Sequence, residues 1–126
     1  MAMPTALVID DDPQIRRLLE IALSKIGRWR VHVADSLESA SALGVIAPDV
    51  LLVDVMLGDG DGREVLRWQR EGRLARAPIV FVTALVRSEQ RAQYLALGAV
   101  GVIEKPFDPM LVAQLVEQML AGTSPR

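Results

Sequence analysis

The chain alternates between short apolar runs and longer segments in which apolar residues recur every three or four positions. An uninterrupted apolar run that ends at turn residues predicts a strand buried on both faces, as in a parallel sheet. The clearest run is Val50–Asp54, which reads VLLVD and leads into the Gly/Asp-rich loop LGDGDG. The same reasoning predicts strands at residues 6–9, 79–83 and 100–103, and the first of these ends at three carboxylates. Residues 29–34 alternate between apolar and polar positions, which predicts a half-exposed strand.

Helical periodicity and capping residues predict a helix after each strand. Asp12 is followed by proline, which is typical of an N-cap and the first helical position, and Asp108 repeats this signal. Ser36 and Ser88 are further candidate caps. The predicted helices cover residues 13–26, 37–47, 62–71, 87–97 and 110–120, with Gly27, Pro48 and Gly98 as stops.

Five strands that alternate with five helices predict an α/β fold with helices on both faces of a parallel sheet. The common strand order for such a sheet is 2-1-3-4-5, the flavodoxin-like doubly wound (βα)5 arrangement. A chain of 126 residues with 51% hydrophobic and 24% charged residues suits one globular domain. Residues 121–126 are expected to be a flexible tail or the start of a cut linker.

Composition excludes several classes of function. The chain has no cysteine, so disulfides and thiolate metal sites are excluded. A formal net charge of −2, from 14 basic and 16 acidic residues, argues against a surface for direct nucleic-acid binding. No apolar run is long enough to span a membrane, and no signal peptide is visible. We therefore expect a cytoplasmic protein without a membrane partner.

Polar residues stand where four of the predicted strands end. Asp10 and Asp11 follow the first strand, Asp54 ends the third, Thr83 ends the fourth and Lys105 follows the fifth. Because open α/β sheets bind ligands at the carboxyl ends of their strands, these side chains should share one site. Alone, Asp54 could equally begin a turn, but the agreement among the strand ends favours a functional role.

This combination of groups predicts phosphoryl chemistry. Crowded carboxylates repel one another unless a cation joins them or one is protonated. Mg²⁺, or Mn²⁺, prefers such oxygen ligands and often binds phosphate at the same time. With Lys105 as a fixed positive charge and Thr83 as a hydroxyl donor, Asp54 is equipped to attack phosphorus and form an aspartyl phosphate.

The segments VIDDDP, LLVDVMLGDGDG, IVFVTA and EKPF occur in this order at the strand ends. Together they resemble the receiver domain of bacterial two-component response regulators, including the chemotaxis receivers, over the whole chain. The resemblance implies that Asp54 is the phosphoacceptor in a two-component phosphorelay. The protein would then be no enzyme in the ordinary sense, but it would phosphorylate itself from small donors with Mg²⁺ and lose the group slowly.

The resemblance also implies roles for the other residues of the site. Asp11 would bind Mg²⁺ directly with Asp54 and the backbone carbonyl of Met56, and Asp10 would bind it through water. Thr83 would be the switch hydroxyl and Lys105 the phosphate-binding lysine, followed by a cis peptide bond to Pro106. A histidine kinase or a phosphotransfer protein would supply the phosphoryl group. The surface of helix 4, strand 5 and helix 5 would then switch, for a downstream protein, an output domain or a phosphorylation-dependent homodimer.

Two positions depart from the family pattern, and two more bear on how long a phosphoryl group would survive. Gly58 stands where a proline is usual, so the loop after the phosphoacceptor gains freedom. Val102 occupies the usual place of an aromatic switch residue, which predicts a smaller rearrangement. Met56 and Leu85 flank the expected approach of water, and their apolar side chains predict slow hydrolysis of the phosphoryl group.

Two other functions fit parts of the pattern. A small haloacid-dehalogenase-type phosphatase would use Asp10 and Asp12, with Thr83 and Lys105 in later motifs, but it needs a further carboxylate beyond Asp108. A flavodoxin-like electron carrier would need a loop rich in free backbone N–H groups where this chain has carboxylates. Structural roles are expected for the remaining residues of interest, which are Asp12, His32, Asp59, Asp61, Trp29, Trp68 and Asp108.

Overall fold

A computed structural model describes residues 3–45, 47–58, 60–84 and 87–122. It contains a five-stranded parallel sheet with the order β2-β1-β3-β4-β5, as the sequence predicts. The strands are β1 (Thr5–Ile9), β2 (Arg30–Ala34), β3 (Val50–Asp54), β4 (Ile79–Ala84) and β5 (Gly101–Lys105). The helices are α1 (Pro13–Ile21), α2 (Leu37–Leu43), α3 (Val65–Arg70), α4 (Ser88–Ala96) and α5 (Val112–Leu120).

The sheet has a separate hydrophobic core on each face. One core joins α2, α3 and α4 to residues such as Leu51, Val53 and Phe81, and the other joins α1 and α5 to Leu52 and Val82. Successive residues of a strand point to opposite faces, so an uninterrupted apolar run supplies both cores. All five residues of β3 are buried, which holds the end of this strand rigidly.

The strand register brings the expected site residues to one edge. Ile9 pairs with Val53, so the residues that follow them, Asp10 and Asp54, leave neighbouring strands side by side. On the other side of β3, Asp54 pairs with Val82 of β4, one residue before Thr83. Lys105 closes β5, where it pairs with Ala84 at the end of β4.

Several predicted boundaries are wrong, each for a local reason. Helix α2 ends at Leu43 and not before Pro48, because Gly44 takes a left-handed conformation with φ of 63°. Ser88 is the first residue of α4 and not its cap, and the Gln90 side chain instead accepts the N–H of Arg87. Asp108 accepts the N–H of Met110 in a turn that precedes α5, so it does not cap the helix itself.

Two local features were not predicted. Helix α1 continues as one π-helical turn at Ala22–Ile26, with Gly27 at its end as expected. After Asp54, the strands Met56–Leu57 and Gly60–Asp61 form a short antiparallel hairpin, and a 3-10 turn at Gly62–Glu64 leads into α3. The hairpin therefore connects the end of β3 directly to the start of α3.

No helix in the part of the chain that the structure describes is both long and apolar enough to cross a membrane.

Candidate functional site

Three carboxylates meet at the carboxyl edge of the sheet. Asp10, Asp11 and Asp54 each offer an oxygen atom, and these three atoms lie within 4.8 Å of one another. Asp10 is completely buried and Asp54 is 6% exposed, whereas Asp11 is exposed to solvent. The cluster therefore consists of two buried carboxylates and one carboxylate, that of Asp11, which is accessible from solvent.

Both oxygen atoms of Asp54 have a defined partner. Oδ1 accepts the backbone N–H of Met56 at 3.0 Å, and Oδ2 accepts a hydrogen bond from Lys105 Nζ at 2.8 Å. The first contact is local to the hairpin, and the second joins residues 51 positions apart in sequence. Together they fix the orientation of the carboxylate at the end of β3.

Asp10 is held less completely. Its Oδ1 accepts the N–H of Asp12 at 2.9 Å, while its Oδ2 has no hydrogen bond to any described residue. This second oxygen lies 3.4 Å from Lys105 Nζ, as an ion pair. The pKa of Asp10 is raised to about 6, mainly by burial and also by the charge of Asp54, against the lowering effects of the Asp12 N–H and of Lys105.

Lys105 serves both buried carboxylates. Burial alone would lower the pKa of its ammonium group, but the hydrogen bond to Asp54 and the charges of Asp10 and Asp54 outweigh this and raise it. The lysine is thus charged at neutral pH, yet its single positive charge faces two buried negative ones. An excess of negative charge remains at the site.

The donor set fits a hard divalent cation. Such an ion prefers carboxylate and carbonyl oxygens, and its charge offsets both the burial of the Asp10 carboxylate and its repulsion by Asp54. The buried Oδ2 of Asp10, which lacks a hydrogen bond among the described residues, is the kind of group that an ion or its water would satisfy. Mg²⁺ therefore suits the residues present.

The response regulator receiver domain family matches residues 6–117. The chain belongs to this family.

Two curated relatives show what the receiver domain is similar to. The DNA-binding dual master transcriptional regulator RpaA of Synechocystis sp. is 35% identical over 120 residues, which cover 94% of this chain and 47% of RpaA. The transcriptional regulatory protein TrcR of Mycobacterium tuberculosis is 40% identical over 111 residues, which cover 86% of this chain and 42% of TrcR. The chain thus spans about half the length of the curated relatives it matches.

Solved receiver structures share the fold. The chemotaxis protein CheY4 of Vibrio cholerae matches with a TM-score of 0.80 at 26% identity, over 94% of this chain and 99% of that one. The BeF3-activated receiver domain of DrrB, a Thermotoga maritima protein, matches with a TM-score of 0.79 at 28% identity, over 95% and 99%. The Lys105–Pro106 bond of the present receiver domain is cis, as the resemblance implies.

Thr83 lies at the same edge, on the side toward β5. It is 8% exposed, and its hydroxyl donates to the carbonyl of Ala84 across a long distance of 3.4 Å. Because such a long hydrogen bond is weak, the hydroxyl is available for a stronger acceptor. Its role as a switch stays a prediction.

The remaining positions of interest are the aliphatic residue at the usual place of the aromatic switch and the two residues expected to flank the approach of water. Val102 is buried opposite Phe81, and its carbonyl accepts a hydrogen bond from Arg91 of α4 at 3.2 Å. The Met56 side chain is 75% exposed, although its backbone N–H belongs to the site. Leu85, like Asp59, lies outside the described residues.

Several of the residues expected to be structural make structural contacts, or are buried in the cores, where the structure describes them. Asp12 caps α1 by accepting the N–H groups of Gln14 and Ile15. Asp61 accepts the N–H of Arg63 and pairs with its guanidinium, which lowers the pKa of Asp61. The two tryptophans are buried, one in each core, and His32 is exposed on β2.

Arg16 also contacts the site, although none of the sequence motifs that indicate the site includes it. Its Nη1 donates to the backbone carbonyl of Asp10 at 2.9 Å, so it ties the first turn of α1 to the end of β1. The only signal is its position. Helices favour acidic residues in the first turn, whereas α1 has the basic Arg16 there.

Proposed function

We propose that Asp54 accepts a phosphoryl group from a histidine kinase or a phosphotransfer protein. The observation that carries this proposal is the 2.8 Å contact of Lys105 Nζ with Asp54 Oδ2, beside the buried carboxylate of Asp10. A carboxylate oxygen of Asp54 attacks the phosphorus atom, and the bond from phosphorus to the leaving nitrogen or oxygen of the donor breaks. The product is an acyl phosphate on Asp54.

Each neighbour of Asp54 has a distinct part in this step. The Met56 N–H orients the carboxylate through its bond to Oδ1. The Lys105 ammonium is placed to neutralise negative charge on the transferred group, and in the unmodified protein it neutralises Asp54 itself. The weakly bonded Thr83 hydroxyl is free to donate to a phosphoryl oxygen once that oxygen arrives.

Asp11 and Asp54 would hold Mg²⁺ directly, together with the backbone carbonyl of Met56, and Asp10 would hold it through water. The bound ion would neutralise charge on the phosphodonor, which the three carboxylates would otherwise repel. The buried Asp10 oxygen without a hydrogen bond among the described residues supports this assignment.

Intact-mass measurement after incubation with acetyl phosphate tests the proposal. The wild type should gain one phosphoryl group in Mg²⁺ and none in EDTA, and Asp54→Asn should gain none in either. Asp35→Asn, which removes an exposed carboxylate at the end of β2, is a matched control and should behave like the wild type. An equal mass gain in Asp54→Asn, or full modification of the wild type in EDTA, would contradict the assignment.

Residues 1–126 are proposed to form one receiver domain that signals through the surface of α4, β5 and α5. Donation by Thr83 to the new phosphoryl group would favour one of two existing arrangements of this surface. The output would be a downstream protein, a further domain or a second copy of the chain.

The phosphatase alternative receives no support from the family match or from the geometry. Asp12, which would be its second catalytic carboxylate, is occupied in capping α1. Steady turnover of p-nitrophenyl phosphate by the wild type would be needed to revive it.

A further inference from the structure

The turn that leads into α3 touches the backbone of the phosphoacceptor. Gly62 is buried at the start of this turn. A Cβ atom added to Gly62 would collide with the carbonyl oxygen of Asp54 and would lie 2.8 Å from its carbonyl carbon and 3.1 Å from Val53 Cγ1. Contacts this short to backbone atoms do not occur, so any larger residue must displace Asp54 or the turn.

Space, and not backbone conformation, requires glycine at this position. Gly62 is not among the glycines with positive φ, which include Gly44 and Gly58. Other residues could therefore adopt its backbone angles without strain, and the close approach alone excludes a side chain. The glycine is needed because Asp54 lies directly against it.

The same turn fixes the chain on the far side of Asp54. Gly62 donates its N–H to the carbonyl of Val55 at 2.7 Å, and Asp61 pairs with Met56 across the hairpin. Met56 in turn donates its N–H to Asp54 Oδ1. Gly62 therefore contacts the backbone of Asp54 directly and fixes the donor that orients its carboxylate.

We infer that Gly62 is a positioning residue for phosphoryl acceptance. Because it has no side chain, the turn before α3 can lie directly against Asp54 and keep its carboxylate within hydrogen-bond distance of Met56 N–H and Lys105 Nζ. This inference rests on the proposed function of Asp54. Moving the Asp54 backbone away from a new methyl group would require a shift on the order of 1 Å, and misplacement of this size can lower a rate about 100-fold.

The test compares three glycine-to-alanine variants. Gly62→Ala carries the predicted defect. Gly60→Ala adds a methyl group in the same hairpin, where the nearest atom is Leu57 O at 3.3 Å. Gly27→Ala creates a clash with fixed atoms just before β2 begins, at the end of the sheet opposite the acidic cluster, with Ala113 Cβ at 2.5 Å and Leu23 O at 3.0 Å, and so controls for loss of stability alone.

Two measurements are made on each variant at a temperature where it is folded. The first is the rate of mass gain from acetyl phosphate at saturating Mg²⁺. The second is the chemical shift of the Met56 amide proton in EDTA, which reports its hydrogen bond to Asp54 and needs no phosphodonor. The Asp12 amide, which bonds to Asp10, is the internal reference.

Gly62→Ala should lose at least about tenfold in rate and shift the Met56 amide but not the Asp12 amide. The two control variants should keep rates within about twofold of the wild type. A wild-type rate or an unmoved Met56 amide in Gly62→Ala would overturn the inference. If the wild type takes no phosphoryl group, the proposed function fails, but the Met56 amide still decides the role of Gly62.

Trimethylamine N-oxide, which favours the folded state, is added if Gly62→Ala does not fold. Failure to fold even then, while Gly27→Ala folds, would assign Gly62 to stability alone and overturn the positioning role.

Discussion

Replacing Asp10 with asparagine should stabilise the magnesium-free receiver domain above about pH 6. The Asp10 side chain is fully buried, and burial is the main reason that its pKa rises from 3.8 to about 6. The ionised carboxylate is therefore less favourable in the folded chain than in the unfolded one. Asparagine has nearly the same shape and carries no charge, so it removes this penalty.

The size of the penalty follows from the pKa difference. A rise from 3.8 to about 6 corresponds to about 3 kcal/mol, since one pKa unit is worth about 1.4 kcal/mol. Between these two pH values the folded protein binds more protons than the unfolded chain, so its free energy of unfolding falls as pH rises. The penalty is absent below about pH 4 and complete above about pH 6.

The expected gain is smaller than the full penalty. Asparagine can still accept the Asp12 N–H, but its amide would face the Lys105 ammonium, which lies 3.4 Å from Oδ2 of Asp10. A buried donor left without a partner costs about 1–3 kcal/mol. We therefore expect Asp10→Asn to gain at most about 2 kcal/mol at neutral pH.

Urea unfolding in EDTA, followed by circular dichroism from about pH 4 to about pH 8, measures this difference. Asp11→Asn is the matched control, because it removes the same charge from an exposed neighbour, and it should change stability much less. Adding Mg²⁺ should then stabilise the wild type more than Asp10→Asn, since binding to the folded state raises its stability. A gain that is equal at both ends of the pH range, or equal in Asp11→Asn, would refute the reasoning.

Three further predictions concern the proposed phosphoryl chemistry. Lys105→Ala should slow mass gain from acetyl phosphate at least about tenfold, because it removes the ammonium 2.8 Å from Asp54, the proposed phosphoacceptor. Val102→Tyr should enlarge the amide chemical-shift response of α4, β5 and α5 to beryllium fluoride, because valine has few side-chain rotamers; a larger response in the wild type would contradict this. Met56→Asn combined with Leu85→Glu should speed loss of the phosphoryl group about tenfold or more after removal of the donor, and unchanged decay would show that these residues do not control water access.

Much of the fold could be predicted because its signals are local. The run of buried residues that forms β3 has the same bounds in the sequence and in the structure, and Asp12 caps α1 as its position before proline indicates. The convergence of the three carboxylates followed from a general property of parallel sheets, and the structure brings their oxygens within 4.8 Å. Local patterns and one topological rule therefore sufficed to find the acidic cluster.

Features that depend on close packing could not be predicted. The hairpin strands after Asp54 have only two residues each, too few to show periodicity. Gly62 resembles an ordinary turn residue in the sequence, and only the position of the Asp54 backbone shows why it must be glycine. Likewise, Gly44 ends α2 earlier than Pro48 would, since a left-handed turn there competes with a further turn of helix.

The charge balance of the site is also a property of the folded chain. Lys105 lies 2.8 Å from Asp54 and 3.4 Å from Asp10, and one ammonium group cannot compensate two buried carboxylates. These two ion pairs favour the charged form of Lys105 and raise its pKa, but the pKa of Asp10 remains raised as well. Asp10 and Asp54 thus compete for the same cation, so a second cation at the acidic cluster would lower the energy of both. Stability of the fold and affinity for a divalent ion should therefore be linked through Lys105, and a substitution that changes one will change the other.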